Sequence, residues 1–299
     1  MMVDKSFWNL VSHKICSRLF LDRKYVNNAI CIESTSINND NMIIIKENEQ
    51  LSIYRGEFNN KDVLIKTFKK FHIGHKVLID ITENEIKNMK KIDSNNILRI
   101  YAFYVEMVDD LPRLSLILEY CKRGYLKNVL MNEKQLLFKT RLDMAIDCCN
   151  GLYNLYKYTN KPYGYISSNV FLVEENYKVK IIAHGLEKVM SSPSFKDINT
   201  SVYLSPKLIN NIFSKHNLED DVYSLGILLW EIFTGDVPYK NLSIKELFKN
   251  ININELRLEI SGHTFIKNIV NHCLVHDEVK RPNLKDILYN LSMYKIYFM

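Results

Sequence analysis

The chain has no Cys-x-x-Cys pair: its six cysteines, Cys16, Cys31, Cys121, Cys148, Cys149 and Cys273, stand at unrelated spacings. The adjacent Cys148 and Cys149 point in different directions on a helix. Neither a zinc site nor a disulfide framework is indicated, and a reducing compartment fits. An uninterrupted apolar run is also missing from the N-terminus, where Lys14 and Arg18 break up Phe7–Phe20. That argues against a signal peptide or membrane anchor. No block of a single charge exists, because Lys and Arg lie among Asp and Glu with a net charge of +6. The pattern describes a mildly basic, solvated surface and argues against a nucleic-acid partner. Internal repeats and low-complexity linkers are lacking too, and Ser34–Asp40 is the stretch that reads as a mobile connection.

What is present is core material. With 299 residues, 47% hydrophobic and 25% charged, a folded protein of one or two lobes is expected. Met42–Ile45, Leu51–Phe58, Val63–Phe68 and Ile97–Phe103 read as β-strands, with one helical segment before the last. Beyond Lys122 the period becomes helical. Leu142, Ile146, Cys149, Tyr153 and Tyr156 form one stripe and Ala145, Cys148, Leu152 and Leu155 another, which predicts a largely buried helix. Val222–Thr234 is nearly all apolar, follows the capping-type Asp221 and stops at Gly235, so it reads as a buried helix too short to span a bilayer. Near the N-terminus Trp8, Val11, Ile15 and Leu19 share a face, which suits a brace packed on the folded domain better than the alternative, a membrane contact. The fold class is therefore α+β. Residues 1–40 are expected to form an N-terminal helical extension, 41–121 a small β-rich lobe with one helix and a hinge, and 122–299 a larger, mainly α lobe.

From about Glu47 onward the order of elements resembles a bilobal protein kinase. Val63-Leu64-Ile65-Lys66 resembles the V-A-I-K strand, whose lysine grips nucleotide phosphates, and Glu85 resembles its helix partner. Glu85 shares a helical face with Ile81 and Met89, where a carboxylate needs a nearby cation. A purely structural Lys66–Glu85 bridge and a residual nucleotide site require the same contact. Leu116–Cys121 followed by Gly124 resembles the strand and hinge between lobes. Asp221 matches the aspartate that organises the catalytic loop from below, and Arg281-Pro282 matches the late Arg-Pro of the second lobe.

The chemistry that the resemblance implies is then missing position by position. Counting back from Tyr54, the G-x-G-x-x-G positions fall on Lys46, Asn48 and Leu51, so side chains stand where bare backbone approaches phosphate. The D-F-G position reads Ala183-His184-Gly185, and a methyl group cannot ligate Mg²⁺. The H-R-D-L-x-x-x-N stretch becomes Tyr163–Val170, with Tyr165 for the catalytic aspartate and Val170 for the second metal ligand. A shift of one residue would make Asn169 the ligand but put Gly164 at the base position. A phenol is a poor base at neutral pH. Leu64 adds bulk against the adenine position, so weak or absent ATP binding is expected and no cofactor or metal. His184, at the usual Phe position, reads as a hydrogen-bonded structural histidine. Lys207 stands where A-P-E would supply the glutamate that pairs with Arg281, which implies a rebuilt anchor.

Longer segments resemble the mixed lineage kinase domain-like pseudokinases: Asn84–Lys91, Tyr203-Leu204-Ser205-Pro206 and Leu229–Pro238. Members of that family are effectors of necroptosis, with an N-terminal four-helix killing bundle and a pseudokinase domain that the receptor-interacting necroptosis kinase engages and phosphorylates. Residues 1–40 are too few for four such helices, so the resemblance implies the docking domain alone. A composition rich in Asn, Ile, Lys and Tyr resembles proteins of AT-rich poxvirus genomes. Truncated viral members of the family are understood as decoys that occupy the host kinase in the cytoplasm; the alternatives are an atypical active protein kinase or a pseudokinase scaffold for another host or viral partner. The resemblance also carries over Ser191 and Ser192 as activation-loop phosphoacceptors, or as mere loop serines. Gly164 replaces the arginine that often receives such a phosphate. Phe213 matches a phenylalanine that inserts into the partner kinase, the alternative being a core residue of the same helix.

Overall fold

Asn59 and Asn60 both take positive φ, 51° and 60°, and so turn the chain tightly between two strands; asparagine tolerates this region, which matches the twist of a two-residue hairpin. The computed structural model describes residues 30–31, 42–48, 51–69, 91–92, 94–108, 111–183, 201–211, 213–252 and 258–298. Around that hairpin the strands are β1 (Ile30–Cys31), β2 (Ile43–Glu47), β3 (Leu51–Phe58), β4 (Lys61–Phe68), β5 (Ile100–Val108) and β6 (Leu111–Glu119). They form a six-stranded sheet in the order β1-β5-β6-β4-β3-β2. All neighbours are antiparallel except β1, which runs parallel to β5 with Ile30 opposite Ala102.

Strand alternation puts Val63 and Ile65 on one face with Ala102, Tyr104 and Ile117, and Met42, Tyr54 and Phe58 pack against them. Thr67 and Ser115, opposite each other in the register, share a hydroxyl–hydroxyl hydrogen bond of 2.8 Å. The other face of β4 carries Lys66 and Phe68, also buried. Two expectations shift here. Ile30–Cys31, assigned to a helical extension, forms a strand, because the ladder with β5 satisfies its backbone groups. The strand expected from Ile97 starts at Ile100, while Ile97 bridges to Ile181 instead. The rest of the extension, Ser34–Asp40 and the helical segment around Glu85 lie outside the described residues.

The chain divides into two compact units, with a boundary between Tyr120 and Cys121. The first holds the six-stranded sheet. The second, which also takes in Ser94–Ile97, opens with β7 (Gly124–Tyr125) and α1 (Leu126–Asn132), followed by α2 (Phe138–Thr159). Then come a 3₁₀ turn (Ser168–Val170), β8 (Phe171–Val173) and β9 (Val179–Ile181), the last two completing a three-stranded sheet with β7. Among the described residues, α3 (Pro206–Asn210), α4 (Leu218–Thr234), α5 (Ile244–Asn252) and α6 (Thr264–Cys273) follow. α7 (Leu284–Phe298) ends the described chain.

In α2 the Ala145, Cys148, Leu152 and Leu155 stripe is fully buried, whereas Ile146, Tyr153 and Tyr156 of the other stripe are half-buried. Gly151 lets this helix approach closely, since a Cβ there would stand 2.7 Å from the Asn96 carbonyl oxygen. The apolar helix α4 begins at Leu218 rather than Val222. Asn217, not Asp221, is its N-cap, in a reciprocal box with Asp220: each side chain accepts the other's amide, at 2.9 and 3.0 Å. Arg141 of α2 donates to the carbonyls of Lys134, Leu136 and Ile232, and so ties the start of α2 to the end of α4. No helix among the described residues is long and apolar enough to cross a membrane.

Candidate functional site

Freed from capping, Asp221 sits in the first turn of α4 with its carboxylate turned to the loop after α2. The backbone amides of Tyr163 and Gly164 donate to its two oxygens at 2.5 and 2.8 Å. Charge-assisted bonds of this kind fix a loop firmly, and the arrangement is the one expected of this aspartate. The Tyr163 hydroxyl donates to the Ile182 carbonyl at 2.7 Å, and the Ile182 amide donates to the Val170 carbonyl at 2.9 Å. Tyr163 thereby ties the start of the loop to the residue preceding Ala183, while Val170 ends the 3₁₀ turn with its backbone oxygen already engaged.

Gly164 and Tyr165 are consecutive left-handed residues, with φ of +70° and +58°. Glycine adopts that conformation freely; tyrosine does so at a cost. The Tyr165 ring is 40% exposed and meets the ring of His216 edge-on, with centroids 4.8 Å apart and planes at 61°. His216 belongs to the connection between α3 and α4, the segment that also carries Phe213. There the Asn211 side chain accepts the Phe213 amide at 3.1 Å and the Asn211 carbonyl accepts the Ser214 amide at 2.9 Å, forming a tight turn. Phe213 stands on this turn 91% exposed. It lies beyond α3 rather than on it, and the core reading of Phe213 is overturned by that exposure.

Behind this loop are two polar clusters that sequence reasoning missed or only half anticipated. Glu231, in the last turn of α4, is buried with Ser168 and Tyr203. Its oxygens accept from the Tyr203 hydroxyl at 2.6 Å and the Ser168 hydroxyl at 2.9 Å. Burial pushes the Glu231 carboxyl up, against the opposing effect of those hydrogen bonds, and pushes the Tyr203 hydroxyl well up, the nearby carboxylate adding to it. The signal was available: a carboxylate inside an otherwise apolar helix needs buried donors. In the second cluster Lys207 lies 2.7 Å from Asp220 and 3.2 Å from Glu278. The Arg281 guanidinium is satisfied by the carbonyls of Val275, Glu219 and His276. The anchor is rebuilt as expected, with the lysine turned to Asp220 and the arginine held by backbone.

In the first unit Lys66 is buried in mid-strand, its amine 5.5 Å from the centre of the Phe68 ring. Lys46 of β2 is exposed, and the amide of Leu51, the first residue of β3, donates to the Asn48 side chain at 2.8 Å. The backbone donor that a glycine-rich loop would offer to phosphate is occupied there. Glu85, His184, Gly185, Ser191 and Ser192 lie outside the described residues, and Ala183 is half-buried at the edge of them. Of the predicted positions, the structure thus brings Tyr165 beside the loop of Phe213 and sets Val170 a few residues on. No group of three or more His, Cys, Asp or Glu that could hold a metal ion occurs among the described residues.

Residues 45–291 match the family profile of protein tyrosine and serine/threonine kinases. Among curated proteins, the human mixed lineage kinase domain-like protein is 32% identical over 275 residues, which is 88% of this chain and 58% of that protein. The mouse protein of the same name is 32% identical over 251 residues, 80% of this chain and 53% of its own length. The Dictyostelium discoideum dual specificity protein kinase shkD is 26% identical over 252 residues, 81% of this chain and 32% of that kinase. The chain spans a little over half the length of the two mixed lineage kinase domain-like relatives.

Proposed function

The chain belongs to the protein tyrosine and serine/threonine kinase family, and we infer that it is a catalytically inactive member that works by binding. In this reading it is a viral decoy that occupies the host receptor-interacting necroptosis kinase in the cytoplasm and so blocks necroptotic signalling. Similarity to the mixed lineage kinase domain-like proteins supports the choice of partner. The observation that carries the reading is Phe213, an aromatic ring 91% exposed on a hydrogen-bonded turn. A large apolar side chain held out in water contributes nothing to the fold, yet it is the kind of anchor that dominates interfaces once it enters a pocket.

A magnesium–nucleotide cofactor does not fit these residues. Val170 and Ala183 offer hydrocarbon where oxygen ligands are required, and the Val170 carbonyl already accepts from Ile182. Asn169, one residue earlier, would give a single amide oxygen and leave Gly164 at the base position. The Leu51 amide is committed to Asn48.

The test is co-precipitation of the host kinase from cells that express the chain, coupled to survival after a necroptotic stimulus. Capture with protection is expected. Phe213→Ala should weaken capture by about 2 kcal/mol, roughly thirtyfold in Kd, while the melting temperature stays where it was. Capture that leaves cells unprotected would overturn the inhibitor reading, and undiminished capture by the variant would remove Phe213 from the interface.

A further inference from the structure

We propose that Tyr165, at the position of the lost catalytic base, is a positioning residue for partner capture: its ring seats His216 and thereby holds the turn that presents Phe213. The inference rests on the reading of Phe213 as the partner anchor.

The first observation is the backbone. Tyr165 sits at φ +58°, where Asn or Asp would be accommodated with less cost than a bulky aromatic. A poorly suited residue persists in such a place when its side chain is held by the surroundings, and the group it meets is the His216 ring at 4.8 Å. The second is space. A Cβ built on Gly164 would lie 3.8 Å from His216 Nδ1 and 3.9 Å from its Cγ. Any longer side chain at 164 would compete for the place that the imidazole occupies. The third is connectivity. His216 lies three residues after Phe213 and directly before Asn217, whose capping box with Asp220 and 3.2 Å contact with Glu278 fix the end of the segment. Asn211 fixes its beginning. The His216–Tyr165 contact holds the residue just before that cap.

The consequence is pre-organisation. A turn held at both ends loses less conformational freedom when Phe213 enters a pocket. Exposed Asn211 and Lys215 flank the ring. The occupant is therefore a kinase-domain surface with an apolar cleft for one aromatic ring, rimmed by carboxylate or carbonyl oxygens that answer the lysine and the amide.

The experiment measures binding of the purified partner kinase domain to the immobilised full chain, with hydrogen exchange of residues 213–216 as a second readout. Tyr165→Phe should bind like the parent. Tyr165→Ala should lose about three- to tenfold in affinity and exchange faster in the 213–216 turn. Tyr165→Asn, which suits the left-handed backbone but lacks the ring, guards against a folding artefact and should show the same loss. In a Phe213→Ala background, Tyr165→Ala should cause no further loss, since the strut has nothing left to present. Parent-like binding by both Tyr165→Ala and Tyr165→Asn, with Phe213→Ala still weak, would overturn this inference alone. So would additive losses in the double variant. Parent-like binding by Phe213→Ala would instead overturn the reading beneath it.

Discussion

Glu231 illustrates how one buried group can set a pH dependence. Only 3% exposed, it would bear a charge in an apolar helix, and burial raises its carboxyl above the ordinary value of 4.5 even with Tyr203 and Ser168 donating to it. A folded-state value above the unfolded one means that the native chain holds its proton more tightly. Its contribution is fully present below the ordinary carboxylate value and is lost as pH rises from there through the raised value. Glu231→Gln removes that titration. In urea denaturation series from pH 4 to 8, the stability of the parent relative to Glu231→Gln should fall with rising pH across that window; a flat difference would show that the carboxyl titrates normally. Tyr203→Phe, which deletes the 2.6 Å donor, should cost about 2 kcal/mol at neutral pH and raise the Glu231 carboxyl further. That stability loss is measurable in the same series.

At the scale of elements, the close approaches between backbone and backbone decide which substitutions the second unit tolerates. Gly151 of α2 faces the Asn96 carbonyl oxygen, 2.7 Å from where a Cβ would stand, and Asn96 in turn accepts the Ile181 amide at 2.9 Å. A methyl group there must push α2 away from β9, so Gly151→Ala should destabilise by about 3 kcal/mol, read as a lowered melting temperature. Gly124→Ala meets nothing within 4 Å but keeps a φ of +73°, and should cost about 1 kcal/mol. Much of this level was legible in the sequence. Strand alternation located β3 and β4 within two residues, and the buried stripe of Ala145, Cys148, Leu152 and Leu155 announced α2. Where the reading slipped, a competing hydrogen-bond pattern was the cause. Asp221 looks like a helix cap from its composition alone, but the Asn217–Asp220 box supplies the cap and releases Asp221 to the loop. Ile30–Cys31 is too short to show any period, and only pairing with a distant strand makes it β. Periodicity is a local signal, and neither outcome is local.

For the molecule as a whole, the positions of the candidate site and the residues that fill them could be counted in the sequence, but the contacts those residues make could not. The loss of acids at 165 and 183 and of an amide at 170 follows from residue identity. The edge-on contact of Tyr165 with His216 and the exposure of Phe213 depend on a turn whose geometry no spacing rule specifies. The same contacts determine how the protein should respond to repair. Tyr165→Asp, Val170→Asn and Ala183→Asp together would return the carboxylates and amide that phosphoryl transfer uses. They would not free the Leu51 amide, which still donates to Asn48 at 2.8 Å, nor remove the side chains of Lys46 and Asn48 from positions where glycine is needed. They would also take away the ring that seats His216. We therefore expect neither the parent nor the triple variant to transfer labelled phosphate above a no-enzyme control with Mg²⁺ or Mn²⁺, to itself or to a generic substrate. The triple variant should, however, capture the partner kinase more weakly than the parent. Turnover by the parent would overturn the inactive reading. Turnover by the triple variant alone would show that the nucleotide site survives intact and that these two acids and one amide were all it lacked. Capture undiminished by the three changes would mean that the loop at 163–170 is idle in binding, and that the second unit engages its partner without help from the old catalytic residues.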